Sequence, residues 1–231
     1  MRIYSKLTIV FLAFIIIPVL FVSYIVFYNS KNTIQKEVFS KLDVIAHQEL
    51  VEIETFFSER KSDLLVLEYQ DIYKTTLFVL DRFSQDRLNP SYIEAKKQID
   101  QRLATFQSTY KYVDIILTNM EGKIIYNFNS GHESQIGAYV FDNNDAILKA
   151  KTGLYIEDIH KAPHKEHPYV LCLSGPVYAD AAKVIGLIHL ELDMDVVYKF
   201  INDNPGIGQS WETLLVKREP NNKIVFISPL K

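Results

Sequence analysis

The chain has 231 residues, 48% of them apolar and 23% charged, which excludes a disordered or fibrous protein and fits one large domain or one domain and part of another. Its 25 basic residues are outnumbered by 28 acidic ones, for a net charge of −3, so the basic surplus of a nucleic-acid binder is missing. One cysteine, Cys172, excludes an internal disulfide framework and a multi-cysteine zinc site.

Residues 7–28, LTIVFLAFIIIPVLFVSYIVFY, form an uncharged run of 22 residues. At about 1.5 Å per residue such a run crosses the ~30 Å hydrocarbon layer of a bilayer. Arg2 and Lys6 precede it and read as a cytoplasmic flank, which places the remainder outside. Pro18 is tolerated in a membrane helix. The exit, Val26-Phe27-Tyr28-Asn29, has no small-residue cleavage pattern, so an uncleaved anchor is expected rather than a signal peptide.

Beyond the anchor, glycine and proline divide the chain. No proline lies between Pro18 and Pro90, and all eight glycines fall between Gly122 and Gly208. The first part is therefore read as helix and the second as strands and turns. Ile34, Val38, Leu42, Ile45, Ile53 and Phe56 recur at helical spacing, interrupted by Glu49, and predict an amphipathic stem helix from Asn29 to Leu67, about 58 Å long. Helices are also expected over 72–83 and over 91–109, the latter after the break at Asn89-Pro90.

At Tyr110 the pattern changes. Residues 112–119 and 123–128 are β-rich and flank the turn Met120-Glu121-Gly122, which predicts a hairpin. A short helix is expected over 139–151, a strand over 154–159, a polar loop over 160–168, and two long strands over 169–178 and 184–193. A helical turn follows over 195–202. After the break at Asn204-Pro205-Gly206, residues 211–218 and 223–228 predict a second hairpin. The reading is an α+β fold: an N-terminal transmembrane helix continuing into a long stem helix, a PAS-like five-stranded antiparallel sheet with flanking helices, and the start of a further unit. The boundaries are a cytoplasmic tail at 1–6, the membrane helix at 7–28, a stem and sheet domain at 29–203, and an incomplete unit at 206–231.

Three stretches carry a family resemblance. They are the hairpin Ile115–Tyr126, the pair Ser174-Gly-Pro-Val-Tyr178 and Val184-Ile-Gly-Leu-Ile188, and Gly208-Gln-Ser-Trp-Glu-Thr-Leu-Leu-Val-Lys217 with Ile224-Val-Phe-Ile-Ser-Pro-Leu230. In this order, behind an anchor and a stem, they resemble the double Cache sensor region of bacterial receptors, which include sensor histidine kinases, diguanylate cyclases and chemoreceptors. The resemblance implies an inner-membrane, single-pass, extracytoplasmic sensor of a small molecule. It also implies a homodimer through the stem helix, and signal passed to a cytoplasmic output domain expected outside these residues. Residues 29–203 would be the membrane-distal subdomain and 206–231 the beginning of the membrane-proximal one. The alternative from another class is a membrane-anchored structural or assembly protein using the stem as a coiled coil.

No catalytic motif appears, neither G-x-S-x-G, H-E-x-x-H nor a P-loop, so the chain reads as non-enzymatic and calls for no cofactor. His160, His164 and His167 cluster around Pro163, but with Lys161 and Lys165 among them they read as a covering loop rather than a metal site. On the strand 184–193 one set of alternate positions is apolar or glycine, and the other turns polar at His189 and Glu191. In the Cache family an acidic residue at the end of this strand contacts ligand, and Glu191 matches it. The expected ligand is an amine or another small metabolite. The family's amino-acid-binding members carry an Arg-x-Trp-Tyr run in the preceding helix. Asn144, Ala146 and Ile147 stand there, so the guanidinium that would fork an α-carboxylate is missing. Tyr126, Tyr155 and Tyr169 are expected on the walls, with Asp114 and His189 as further ligand-binding candidates, all beneath a lid over 139–168.

Overall fold

The computed structural model describes residues 3–141, 144–161, 169–180, 183–202, 214–219 and 222–227. By its internal contacts the chain divides into two units, Met1–Val51 and Glu52–Lys231.

The first unit is one continuous stretch of helix α1 (Ile3–Glu68), with Pro18 inside it. Its most apolar window has a mean hydropathy of 3.0 with none of it buried, so this helix is long and apolar enough to cross a membrane. Phe11, Phe14, Phe21 and Phe27 are each at least 65% exposed, an apolar surface left uncovered among the described residues.

In the second unit the last turns of α1 are followed by α2 (Ile72–Phe83) and α3 (Pro90–Tyr110). α2 buries Tyr73, Thr76, Leu77 and Leu80 at intervals of three and four. α3 begins where the sequence punctuation requires it. Pro90 takes the first helical position, Asn89 caps by accepting from the Ser91 amide at 3.0 Å, and Tyr92, Ala95, Ile99 and Leu103 form its buried stripe. The end of α1 is fixed from the side. The Arg60 guanidinium lies 4.5 Å from the Tyr110 ring centre and 3.5 Å from Asp63, and the Tyr112 hydroxyl donates to Asp63 at 2.7 Å.

The sheet then assembles from β1 (Asp114–Thr118), β2 (Ile124–Asn127), β3 (Tyr155–Ile156), β5 (Tyr169–Asp180) and β6 (Lys183–Asp193), in the order β2-β1-β6-β5-β3. All pairs are antiparallel, and the short β4 (His160–Lys161) also pairs with β5. The five-stranded antiparallel sheet expected from sequence is thus the sheet observed, with β4 added in a segment read as loop. The β1–β2 turn is closed by Asn119, whose side-chain oxygen accepts from the amides of Glu121 and Lys123 at 3.0 Å each. Gly122 supplies the left-handed φ of +85° that this turn needs.

One face of the sheet carries Ile115, Leu117, Leu173, Ile188 and Leu190 against α1, α2 and α3. The other carries Leu187 against Phe141 and against α4 (Asn144–Thr152), which contributes Ala146, Ile147 and Ala150. α4 starts later than the periodicity suggests, and a 3-10 turn over Ser130–Gln135 was not legible at all. α5 (Met194–Asn202) follows β6. β7 (Val216–Arg218) and β8 (Ile224–Phe226) form a separate two-stranded sheet. Ile227 nevertheless seats in the larger core, where its carbonyl accepts from the Tyr198 hydroxyl at 2.6 Å, and the Lys217 ammonium lies 2.8 Å from Asp158. Residues 162–168 of the histidine loop, with His164 and His167, and Trp211 of the second hairpin lie outside the described residues.

Gly122 gives a direct test of the hairpin. A Cβ there would strain the left-handed backbone and run into Ile147 of α4. Gly122→Ala is expected to cost about 1–3 kcal/mol of unfolding free energy, read from urea denaturation. An unchanged midpoint would contradict the turn geometry.

Candidate functional site

Strand alternation decides which side chains meet. β6 lies between β1 and β5, with Asp114 opposite Glu191 and Ile116 opposite His189 on one side, and Cys172 opposite Glu191 and Ser174 opposite His189 on the other. β3 adds Tyr155 opposite Ser174, and the Glu157 amide donates to the Cys172 carbonyl at 2.9 Å. Glu157, Cys172, Glu191 and Asp114 therefore form one row across four adjacent chain segments, on the face away from α1–α3. Glu157 and Glu191 stand two strand spacings apart, about 9–10 Å.

A cavity of about 230 Å³ sits on this face. Ile116, Cys172 and Glu191 line it from the sheet, Gln135, Tyr139 and Phe141 from the segment after β2, and Glu157 and His160 from the segment after β3. The charged side chains on its described lining are two carboxylates, with His160 Nδ1 3.7 Å from Glu157. Burial pushes the Cys172 thiol far up, so the sulfur on the cavity floor is a neutral, weakly polar surface and not a nucleophile. A larger cleft of about 540 Å³ opens elsewhere, between α2 and the β1–β2 and β5–β6 turns, and contains none of the candidate residues.

Asp114 is fully buried in this row but is not offered to the cavity. One of its oxygens accepts from the Ile115 amide at 2.7 Å and the Asn129 amide at 2.9 Å. The other accepts from Asn127 Nδ2 at 3.1 Å and lies 2.7 Å from His132 Nδ1. Four contacts occupy the four acceptor positions of a carboxylate. Asp114 thus ties the 3-10 turn to the sheet, and these donors offset the like charge of Glu191 directly across the ladder.

His189 is also fully buried, with Nδ1 2.7 Å from the Ser174 hydroxyl and Nε2 3.1 Å from the Thr118 hydroxyl. Burial lowers its pKa to about 3, so the ring is neutral, and Phe141 meets it edge-on at 5.4 Å between centres. It supports the aromatic that lines the cavity without itself lining it. Tyr155 acts similarly from the same face, its ring edge-to-face with Phe141 at 5.8 Å.

The remaining two expectations are corrected. Tyr126 pairs with Leu117 and so points to the helices, where its hydroxyl donates to Asp100 of α3 at 2.7 Å. Tyr169 falls two residues before Leu171 on β5, on the same helix-facing side, and packs against the larger core. Neither shares a face with Glu191. Sequence reasoning missed Glu157, Cys172 and Gln135. Glu157 and Cys172 become visible only once the register of β3, β5 and β6 is known, and Gln135 belongs to the unforeseen 3-10 turn. Among the described residues no group of three His, Cys, Asp or Glu side chains is placed to hold a metal ion.

No family model matches the sequence, and no curated protein does. Solved structures do match in fold. The ligand-binding domain of the Campylobacter jejuni chemoreceptor Tlp3, in complex with L-norvaline, superposes with a TM-score of 0.55 at 15% identity, over 82% of this chain and 68% of that one. The chain has the fold of a Cache-type sensor domain. The same Tlp3 domain in complex with 4-methylisoleucine gives a TM-score of 0.52 at 15% identity, over 78% of this chain and 65% of that one. The Tlp3 sensory domain gives 0.51 at 13%, over 83% and 71%. The chain thus spans about two thirds of the length of the Cache-fold domains it matches.

His189 generates a pH prediction. Its folded pKa lies near 3, below the ordinary 6.5. Its contribution is complete above about pH 6.5 and is lost as pH falls towards 3, because the unfolded chain binds a proton that the fold refuses. The stability difference between the parent and His189→Gln is therefore expected to shrink by about 1.4 kcal/mol per pH unit below pH 6. A difference constant from pH 7 to 4 would show that His189 is not held neutral.

Proposed function

We propose that the chain is the extracytoplasmic sensing region of a membrane-bound bacterial receptor, and that the cavity over Cys172 receives a small ligand bearing an ammonium group. The observation that carries this reading is the row Glu157–Cys172–Glu191, which brings two carboxylates to one pocket on a Cache-fold sheet. Charge-assisted hydrogen bonds to such carboxylates favour a cation over a neutral or anionic ligand.

The Tlp3 domain was solved with isoleucine and related compounds, but this chain departs from an α-amino-acid receptor. Ala146 and Ile147 of α4 are buried in the small core beside Leu187, where they supply packing and no guanidinium for an α-carboxylate. Glu191 is the principal contact in this reading and Glu157 the second. Asp114, His189 and Tyr155 act as supports that hold the floor and roof.

The arrangement of the chain follows from the same reading. Arg2 and Lys6 stay in the cytoplasm, residues 7–28 cross the inner membrane, and the stem from residue 29 pairs with that of a second copy. Residues 29–203 form the membrane-distal subdomain, and β7–β8 opens the membrane-proximal one. The chain itself is non-catalytic. The output, of histidine kinase, diguanylate cyclase or chemoreceptor type, is reached through the stem.

Two measurements test this. A thermal-shift screen of primary amines, amino acids and carboxylates against the full chain in detergent is expected to find stabilisation among the amines. Glu191→Gln should weaken that binding by about 2–5 kcal/mol, and Glu157→Gln should weaken it less. Stabilisation by carboxylates, or amine binding indifferent to Glu191, would contradict the site. Separately, a periplasm-dependent reporter fused after Lys231 should be active, and cytoplasmic activity there would reverse the topology.

A further inference from the structure

Outside the cavity, one buried ionisable group has no role in the reading above. Glu68 is the last residue of α1 and is only 3% exposed. It follows the fully buried Leu64 and Leu67, on the side of the sheet that faces the helices. Its Oε1 has no hydrogen-bond partner among the described residues. A buried carboxylate left short of partners is costly when ionised and much less so when protonated.

The seat beneath it is made by an absent side chain. A Cβ at Gly175 of β5 would run into Glu68 Oε1 and come within 3.1 Å of Leu64 Cδ2. Gly175 belongs to the Ser174-Gly-Pro-Val-Tyr178 stretch that the cavity does not explain. Its backbone needs no positive φ, so the close approach of Glu68 and Leu64 is what the glycine permits.

Among the described residues the flanking groups pair no cation with Glu68. From β5 the titratable neighbour is Tyr178, whose hydroxyl feels the Glu68 charge. The Tyr178 ring stacks on Tyr69, the residue after Glu68, at 4.7 Å with the planes 9° apart. Where α2 begins, Lys74 is paired with Asp71 at 2.7 Å. From α3, Arg102 donates to Gln70 at 2.6 Å.

We propose that the Glu68–Gly175 contact is a proton-sensitive latch that fastens the end of the stem helix to the sheet, docked when the carboxyl is neutral and released when it ionises. Burial raises the Glu68 pKa from 4.5 to about 7, which puts the transition near neutral pH. A carboxyl whose docked pKa is raised gives its full contribution below about pH 4.5, and that contribution is lost as pH rises to about 7. The direction is opposite to that of a salt-bridged carboxylate. The latch joins the helix that the proposed topology leads into the membrane, so external pH would bias the same element that ligand binding biases. The contact itself does not depend on that topology.

The test is hydrogen exchange of the segment 64–70 in the full chain in detergent, with the parent and Glu68→Gln compared at each pH so that intrinsic exchange chemistry cancels. Glu68→Gln keeps the shape and removes the charge. The two proteins should differ only about fourfold in exchange at pH 5, and the parent should exchange more than tenfold faster at pH 8, where each unit of pKa shift corresponds to a factor of about 10. His189 is common to both and drops out. Gly175→Ala, which fills the seat, should exchange at pH 5 as the parent does at pH 8. A parent-to-Glu68→Gln ratio that stays constant from pH 5 to 8 overturns the latch, whether or not Gly175→Ala folds. Loss of amine binding, or its absence, bears on the cavity and leaves this result untouched.

Discussion

The antiparallel pairing of β6 with β1 on one side and β5 on the other is the constraint on which the rest depends. Because side chains alternate strictly along a strand, this pairing sends Ile188 and Leu190 into the helices. The same pairing lines up Glu191 with both Asp114 and Cys172 on the opposite face. A slip of one residue would exchange the two faces, exposing leucines to the cavity and driving a carboxylate and an imidazole into the apolar core. The apolar core therefore fixes the register, and the register fixes the site.

The polar face is held by groups that a ligand does not need to touch. Asp114 spends its acceptors on the 3-10 turn, and His189 spends both ring nitrogens on Ser174 and Thr118. These satisfied networks set the height of Phe141 and the 3-10 turn above the sheet, and so the size of the cavity. Glu68, on the other face, has an oxygen without a partner among the described residues. His189 and Glu68 pull on stability in opposite directions between about pH 4.5 and 6.5. The parent's pH profile there is the difference of two slopes, and each emerges only when the other group is removed.

The elements that were legible in the sequence are those whose signals are local. The α2 stripe, the Asn89-Pro90 start of α3, the Asn119–Gly122 turn and the alternation of β6 each announce themselves within a dozen residues. What was not legible depends on pairing between distant strands. Tyr126 was expected to face the cavity because tyrosines suit cavity walls, yet the antiparallel register of β1 with β2 sets Tyr126 opposite Leu117, on the side where its hydroxyl reaches Asp100. Tyr169 fails for the same reason, since its parity on β5 is that of Leu171 and Leu173. Glu157 lies beyond the two-residue β3, which is too short to show a period. Glu191 was reached through the polar turn of β6 and the family resemblance together, since its strand pattern alone also describes an exposed edge.

The central claim, a cationic ligand lying over Cys172 between Glu191 and Glu157, is tested most directly by a crystal structure grown with whichever amine raises the melting temperature. The account predicts ligand density in the cavity beneath Phe141, with its ammonium within about 3 Å of the Glu191 carboxylate. Density in the larger cleft beside α2, or in the same cavity with the cationic end turned away from both glutamates, would contradict it.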